Sequence, residues 1–494
     1  GVGVTLAADV VRGQEIVPFE LAQTLEISPQ QETQVRGAAV ADFDGDGRPE
    51  VAIMCQDEPG VVRIHLFKQD DAGVFAPWMT RAWPGEGAAT AGQLDAGDLD
   101  RDGDIDLVAS ARSWSAADTL WVLRNSLNDD SGWVDELVPV GGEGQLFPWL
   151  RLVFADVDQD GWLDAVGTQV ADAPLIAFGD GQGSLEPPID LPGISAPRAG
   201  YGFAVEVADL NGDGLGEVLV AGGSAQSGFN LVAEQASSRT FDFYPFAFGG
   251  LRNRASYYTP VDLNNDGAVD IVPLGAGSFF DVLLGDGQGG FNDLVGPTGN
   301  RRVALGAPVA AMHNDSQLEG ARGAVRAVDI DLDGDQDLVA AGPRGGFSCT
   351  ITFNDGVQDI NAWRGQAVVD VPLEVLDVFA TDLDLDRVPD IVLLEASPNR
   401  TTPRRLYVYR NLTAYPCLAD ISSYGDCSGA PDLVVDLTDF ACYLDLWARN
   451  APLADVTTAA ECSFRWGRAA GDGVTLEDFA CFMSTWANGC EEFR

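Results

Sequence analysis

Seven times between residues 42 and 390 the chain sets carboxylates or amides at the first, third, fifth and ninth positions of one loop, with the first positions 53 to 67 residues apart. In ADFDGDGRPE these are Asp42, Asp44, Asp46 and Glu50, with the carbonyl of Arg48 at the seventh position. One such loop reads as a polar Asp/Gly turn. Seven at a regular interval imply a repeated unit, and a chain bound to repeat one unit has few folds open to it.

The further copies run in order along the sequence. Asp98, Asp100, Asp102 and Asp106 surround the carbonyl of Asp104, and Asp156, Asp158, Asp160 and Asp164 that of Trp162. Asp209, Asn211, Asp213 and Glu217 follow with Leu215, then Asp262, Asn264, Asp266 and Asp270 with Ala268. Asp329, Asp331, Asp333 and Asp337 go with Asp335, and Asp382, Asp384, Asp386 and Asp390 with Val388. Oxygen ligands at this spacing suit Ca²⁺, which accepts six to eight oxygens in flexible geometry, and a glycine at the sixth position permits the sharp turn. Asn211 and Asn264 each remove a charge, and Arg387 replaces the glycine of the last loop, so these three sites are expected to be weaker.

Apolar runs of four to six residues flank every loop, and a second turn rich in Gly, Asp or Asn follows, as in FDVLLGDGQGGFN. Such runs between turn residues read as strands. Each unit is therefore expected to hold four antiparallel strands, A to D, with the acidic loop between A and B. That is a propeller blade. The seventh unit lacks a strand D before the texture changes, and the spare segment FELAQTLEI at residues 19–27 is expected to supply it, closing the ring and covering an exposed edge.

From about residue 36 to 412 these units resemble the FG-GAP or VCBS calcium-loop repeats known from the propeller of integrin alpha subunits and from many secreted bacterial proteins. The resemblance implies an all-β, seven-bladed propeller over residues 15–413, binding up to about seven structural Ca²⁺ through the residues named above. An EF-hand would need a bidentate Glu at position 12 and flanking helices, and RTX repeats would need tandem nonapeptides. Neither pattern is present.

Residues 416–494 form a second module, with six of the chain's eight cysteines: Cys417, Cys427, Cys442, Cys462, Cys481 and Cys490. It contains its own repeat, in which Phe440, Tyr443, Leu444 and Trp447, and again Phe479, Phe482, Met483 and Trp486, share one face of a helix. Two loop–helix units ending in GC resemble the GC-type dockerin-like domains of secreted bacterial proteins. The resemblance implies a small α-helical domain and a cohesin-like or surface partner. Among fifteen pairings of six cysteines the internal repeat favours Cys427–Cys442 and Cys462–Cys481, and Cys417–Cys490 would clasp the two ends of the module. Cys55 and Cys349 are expected to be buried thiols.

Acidic side chains number 76 against 29 basic, a net charge of −47. A surface of that sign repels nucleic acid and anionic membranes, and no apolar run is long enough to span a bilayer. Calcium loops need plentiful free Ca²⁺, and with the cysteines they point to an extracellular or cell-surface location. Residues 1–14 read as a leader or signal-peptide remnant.

Segments leading into the A strands carry Trp83, Trp149, Arg198, Tyr201, Arg252, Arg254, Tyr257 and His313. On the face opposite the acidic loops they form a candidate surface for a polysaccharide or protein ligand, against the alternative that the aromatics pack between blades. No GxSxG, HExxH or P-loop is present. Three functions follow as expectations: an adhesion or ligand-binding propeller, a lyase or hydrolase acting on an acidic glycan through Arg252, Tyr257 and His313, and a structural part of an extracellular assembly.

Overall fold

A computed structural model describes residues 17, 19–27, 34–58, 60–70, 73–85, 87–113, 118–126, 132–139, 151–168, 174–191, 201–223, 228–237, 239–245, 255–275, 279–292, 302–304, 324–332, 334–341, 349–354, 364–369, 375–386, 388–395, 404–412, 457–458 and 461–462. Among these residues every regular element is a β-strand.

Chain order gives β1 (Phe19–Glu26), then a first sheet of β2 (Gln34–Ala41), β3 (Glu50–Glu58), β4 (Val61–Gln69) and β5 (Phe75–Ala82). The second sheet holds β6 (Ala89–Gly97), β7 (Asp106–Ser113), β8 (Asp118–Arg124) and β9 (Val134–Pro139). The third holds β10 (Arg151–Ala155), β11 (Asp164–Thr168), β12 (Leu175–Ala177) and β13 (Ile189–Asp190), and the fourth β14 (Tyr201–Ala208), β15 (Glu217–Gly223), β16 (Gly228–Ser237) and β17 (Thr240–Pro245). At the fifth position β18 (Ala255–Val261) pairs with β19 (Asp270–Gly275). There β20 (Phe279–Asp281) pairs with β23 (Arg302–Ala304), β21 (Leu284–Gly285) pairs with β22 (Phe291–Asn292), and a bridge from Ile271 to Leu283 sets the third strand against β19. The sixth sheet is β24 (Ala324–Val328), β25 (Asp337–Ala341), β26 (Cys349–Phe353) and β27 (Arg364–Val369). The last is β28 (Val375–Thr381), β29 (Asp390–Glu395) and β30 (Arg405–Asn411), with β1 antiparallel against β30.

Burial falls from the inner strands outward. Every residue of β29 is buried, which accounts for its unbroken apolar run IVLL, whereas β5 and β1 expose most of their residues. A strand buried on both faces needs apolar residues on both, because sheets stack on either side. Among the described residues, six apolar clusters fill these spaces. They join sheet 1 to 2, 2 to 3, 3 to 4, 4 to the fifth unit, the fifth unit to the sixth and seventh, and the seventh back to the first. The arrangement is a β-propeller.

Two contacts tighten the seam where the chain's early strands meet its late ones. The Gln23 amide donates to the carbonyl of Phe75 and accepts from its N–H, each at 2.8 Å, so β1 is tied to β5 as well as to β30. In the first sheet Gln69 Nε2 donates at 2.9 Å to the carbonyl of Leu383 in the last.

Cys55 and Cys349 are buried and take part in no disulfide, and burial pushes the Cys349 pKa up to about 12. Of the second module the described residues are Thr457–Thr458 and Glu461–Cys462, which pair as two short strands. The helices expected for this module, and the disulfide pairings expected among Cys417, Cys427, Cys442, Cys462, Cys481 and Cys490, involve residues outside those described.

Candidate metal centre

Every acidic loop begins on the residue after strand A and ends on the first residue of strand B. The two flanking residues pair across the ladder: Ala41 with Glu50, Gly97 with Asp106, Ala155 with Asp164, Ala208 with Glu217, Val261 with Asp270, Val328 with Asp337 and Thr381 with Asp390. That fixed rung makes the loop an eight-residue excursion of constant span.

Inside it the backbone takes a left-handed conformation twice. Position 4 has positive φ at Gly45, Arg101, Gln159, Gly212, Asn265, Leu332 and Leu385, and position 6 at Gly47, Gly103, Gly161, Gly214, Gly267 and Gly334. Glycine at position 6 meets this demand without a Cβ penalty. Position 4 holds it even with leucine, so something in the loop compensates.

The compensation is a set of amide bonds onto the acids. Asp42 accepts from Gly45 and Gly47, Asp209 from Gly212 and Gly214, and Asp262 from Asp266 and Gly267, at 2.7 to 3.1 Å. At position 5, Asp46, Asp160, Asp213, Asp266 and Asp386 each accept from the amide two residues on. Each such bond turns the chain around its own carboxylate.

Position 9 lies deepest. Glu50, Asp106, Asp164, Glu217, Asp270, Asp337 and Asp390 are at most 1% exposed. One oxygen of each accepts the amide of position 2, from Phe43, Leu99, Val157, Leu210, Leu263, Ile330 and Leu383, at 2.6 to 3.2 Å. In five loops the other oxygen accepts an amide from the end of strand C: Asn125, Gly179, Gly285, Asn354 or Asn411, at 2.7 to 2.8 Å. Read from sequence as a ligand alone, this carboxylate is also the clamp that holds loop and strands together. Burial raises the pKa of Glu50, Asp106 and Asp164 to about 7 and of Asp270 and Asp390 to about 6.

Among the described residues, the acids converge in five loops. Carboxylate oxygens of Asp42, Asp44 and Glu50 lie within 4.8 Å of one another, as do those of Asp98, Asp100 and Asp106, of Asp156, Asp158 and Asp164, of Asp329, Asp331 and Asp337, and of Asp382, Asp384 and Asp390. The fourth and fifth loops, where Asn211 and Asn264 hold position 3, form no such three-acid group. Asp333 and Arg387 lie outside the described residues. Among the described residues, Glu50 Oε1, Asp98 Oδ1 and Asp156 Oδ1 are buried without a hydrogen-bond partner. A buried carboxylate oxygen left this way is costly, and a hard divalent cation supplies what it lacks, so these acidic groups fit such an ion.

Of the opposite-face residues, Tyr257 is 6% exposed within the core, with the Arg326 guanidinium 5.1 Å from its ring centroid. Trp83 is half-buried and edge-on to Trp121 at 5.7 Å. Both pack between sheets. Trp149, Arg198, Arg252, Arg254 and His313 lie outside the described residues, as does the Tyr201 side chain.

Two devices escaped the sequence reading. Position 2 is a buried apolar plug in every loop, from Phe43 to Leu383. At the end of strand C, as the last residue of β4 and β30 and the residue just after β8 and β26, stands a buried Gln or Asn that reaches the preceding unit: Gln69 to the carbonyl of Leu383, Asn125 to Phe43, Asn354 to Leu263 and Asn411 to Ile330, at 2.7 to 2.9 Å. The recurring FKQ, LRN, TFN and YRN were the visible signal. The third and fifth units have Gly179 and Gly285 there, where a Cβ would lie 2.8 Å from the Leu163 carbonyl and 2.3 Å from that of Val269. In the fifth unit the tie passes instead through the Gly289 amide to Leu210, at 3.2 Å.

A family model described as FG-GAP-like repeat matches residues 42–109, 156–220 and 209–273. No curated protein matches the chain. The matched segments begin on or run through the acidic loops of the first five units, and the chain carries FG-GAP-like repeats in a β-propeller.

Proposed function

We propose that the chain is a seven-bladed propeller whose loops bind Ca²⁺ as structural ions, and that it works outside the cytoplasm as a ligand-binding or adhesion module. The observation that carries the metal reading is the presence of buried, unpartnered oxygens on Glu50, Asp98 and Asp156, each of which belongs to a cluster of three carboxylates. When bound, the ion supplies positive charge among acids that otherwise repel one another. The chain's own part is to hold the position-9 carboxylate against two amides, wrap positions 1 to 6 around it, and seal the base with the apolar plug.

The seven-blade count is supported by seven equivalent loops and by apolar contact from the last sheet back to the first. Binding of a polysaccharide or protein on the face away from the loops, and attachment through a dockerin-like C-terminal module, belong to this proposal. An enzyme built on Arg252, Tyr257 and His313 fits less well, because Tyr257 is committed to the core. A glycan array and a matrix-protein binding screen, run in calcium and in chelator, test the reading. Calcium-dependent capture of one ligand class supports it; turnover of an acidic glycan without retention contradicts it.

A further inference from the structure

One station on strand C looks onto the acidic loop of its own unit. Pairing of Val51 with Phe67, Leu107 with Leu123, Ala165 with Ala177 and Ile391 with Tyr409 places Lys68, Arg124, Phe178 and Arg410 at that station, one residue farther on. Lys68, the chain's single lysine, sets its ammonium on Asp44 and 3.2 Å from Asp46. Arg410 sets Nη1 2.6 Å from Asp390 and Nε 3.6 Å from Asp384. In both units a side-chain cation sits on the carboxylates that would receive a metal.

The third unit has the uncharged Phe178 at this station, and its cation comes from the neighbouring unit. Arg239, at the turn between β16 and β17 with φ 61°, lies 4.1 Å over the Phe178 ring. It places Nε 2.5 Å from Asp158 Oδ2 and Nη2 3.6 Å from Asp160, while Nη1 bonds Glu186 at 3.2 Å. The Asp158 side chain is 2% exposed beneath it. The second unit differs. Arg124 turns away to the carbonyl of Gln182 at 3.3 Å and lies 3.8 Å from Glu136, and Asp98 Oδ1 in that loop is buried without a partner.

We propose that Lys68, Arg239 and Arg410 are tethered counter-cations that compete with the divalent ion for the loops of units one, three and seven, which therefore take up metal more weakly than the loop of unit two. The proposal rests on the reading of the loops as metal sites. An ammonium or guanidinium and a divalent ion repel strongly a few ångströms apart, so the ion enters only as the side chain leaves. In exchange, these loops keep a neutralising charge when metal is scarce.

Trp162, inside the third loop, gives a local reporter, because it sensitises terbium luminescence from an ion bound beside it. The experiment titrates the full chain with Tb³⁺, and separately with Ca²⁺ by calorimetry, using Arg239→Gln, Arg239→Lys and Lys68→Met, with Trp162→Phe assigning the signal. The expected result is roughly tenfold tighter terbium binding at the Trp162 site in R239Q and near wild-type binding in R239K. In K68M calorimetry should show one further site tightened by a similar factor. Wild-type affinities in both R239Q and K68M would overturn the competition while leaving the loops as metal sites. Absence of bound ion in every protein, wild type included, would overturn the underlying reading and the competition with it. If R239Q fails to fold, K68M, whose lysine is one-third exposed, decides alone.

Discussion

Gln69 Nε2 donates a 2.9 Å hydrogen bond to the carbonyl of Leu383, 314 residues away, joining the end of strand C in the first sheet to the acidic loop of the last. The same amide bonds the Pro49 carbonyl at 2.9 Å, and its oxygen accepts from Arg410 at 3.1 Å. Asn125, Asn354 and Asn411 make the equivalent bond to the preceding unit elsewhere. Acidic loops and blade contacts are thus one structure, since the carbonyl bonded is that of loop position 2, whose amide binds the buried carboxylate.

Removing this tie should cost more than an ordinary surface change. Gln69→Ala strands two buried carbonyls and loosens Arg410, and is expected to lower stability by about 1–3 kcal/mol in urea denaturation. Asn125→Ala should behave alike. Gln23→Ala, which releases β1 from Phe75, should make the N-terminal strand exchange its amide hydrogens faster while β3 and β7 stay protected.

Backbone strain in the loops gives a second expectation. Leu385 holds φ 65° at position 4 and is 50% exposed, so Leu385→Gly should stabilise the fold, by about 0.5–1 kcal/mol. Gly267→Ala meets no atom within 4 Å and should cost only the left-handed penalty, about 1–2 kcal/mol. Gly285→Ala drives a Cβ against the Val269 carbonyl and should cost more. Equal denaturation midpoints for these two alanine variants would contradict the packing described.

Acidity should act in an unusual direction on the metal-free protein. Glu50, Asp106 and Asp164 titrate near 7 in the fold, and Asp270 and Asp390 near 6, above the usual carboxylate range of an unfolded chain. The folded state therefore holds protons that the unfolded state has released. Their stabilising contribution is complete below the ordinary carboxylate pKa and is lost as pH rises through about 6 to 7. With divalent ions removed, the melting temperature should fall between pH 5 and 7.5, and calcium added at pH 7.5 should restore it.

Much of this was legible in the sequence because the regular spacing of the loop acids and strand alternation both leave local marks. The loops from Asp42 to Asp390, the strands around them and the stretch now seen as β1 all follow from spacing and period. What escaped depends on contacts between units. Nothing beside Gln69 announces Leu383, and Arg239 gives no sign that it will lie over Phe178. Tyr257 and Trp83, equally fit for a ligand face or for packing, are placed between sheets by stacking that no short window encodes.

The most direct test of calcium-stabilised loops is thermal unfolding of the full chain in millimolar Ca²⁺ and in chelator, with bound calcium counted by elemental analysis. Several ions per chain and a higher melting temperature in calcium are expected, each site adding about 2.7 kcal/mol at a hundredfold excess over its dissociation constant. One ion or none, with the same melting temperature in both buffers, would contradict this expectation.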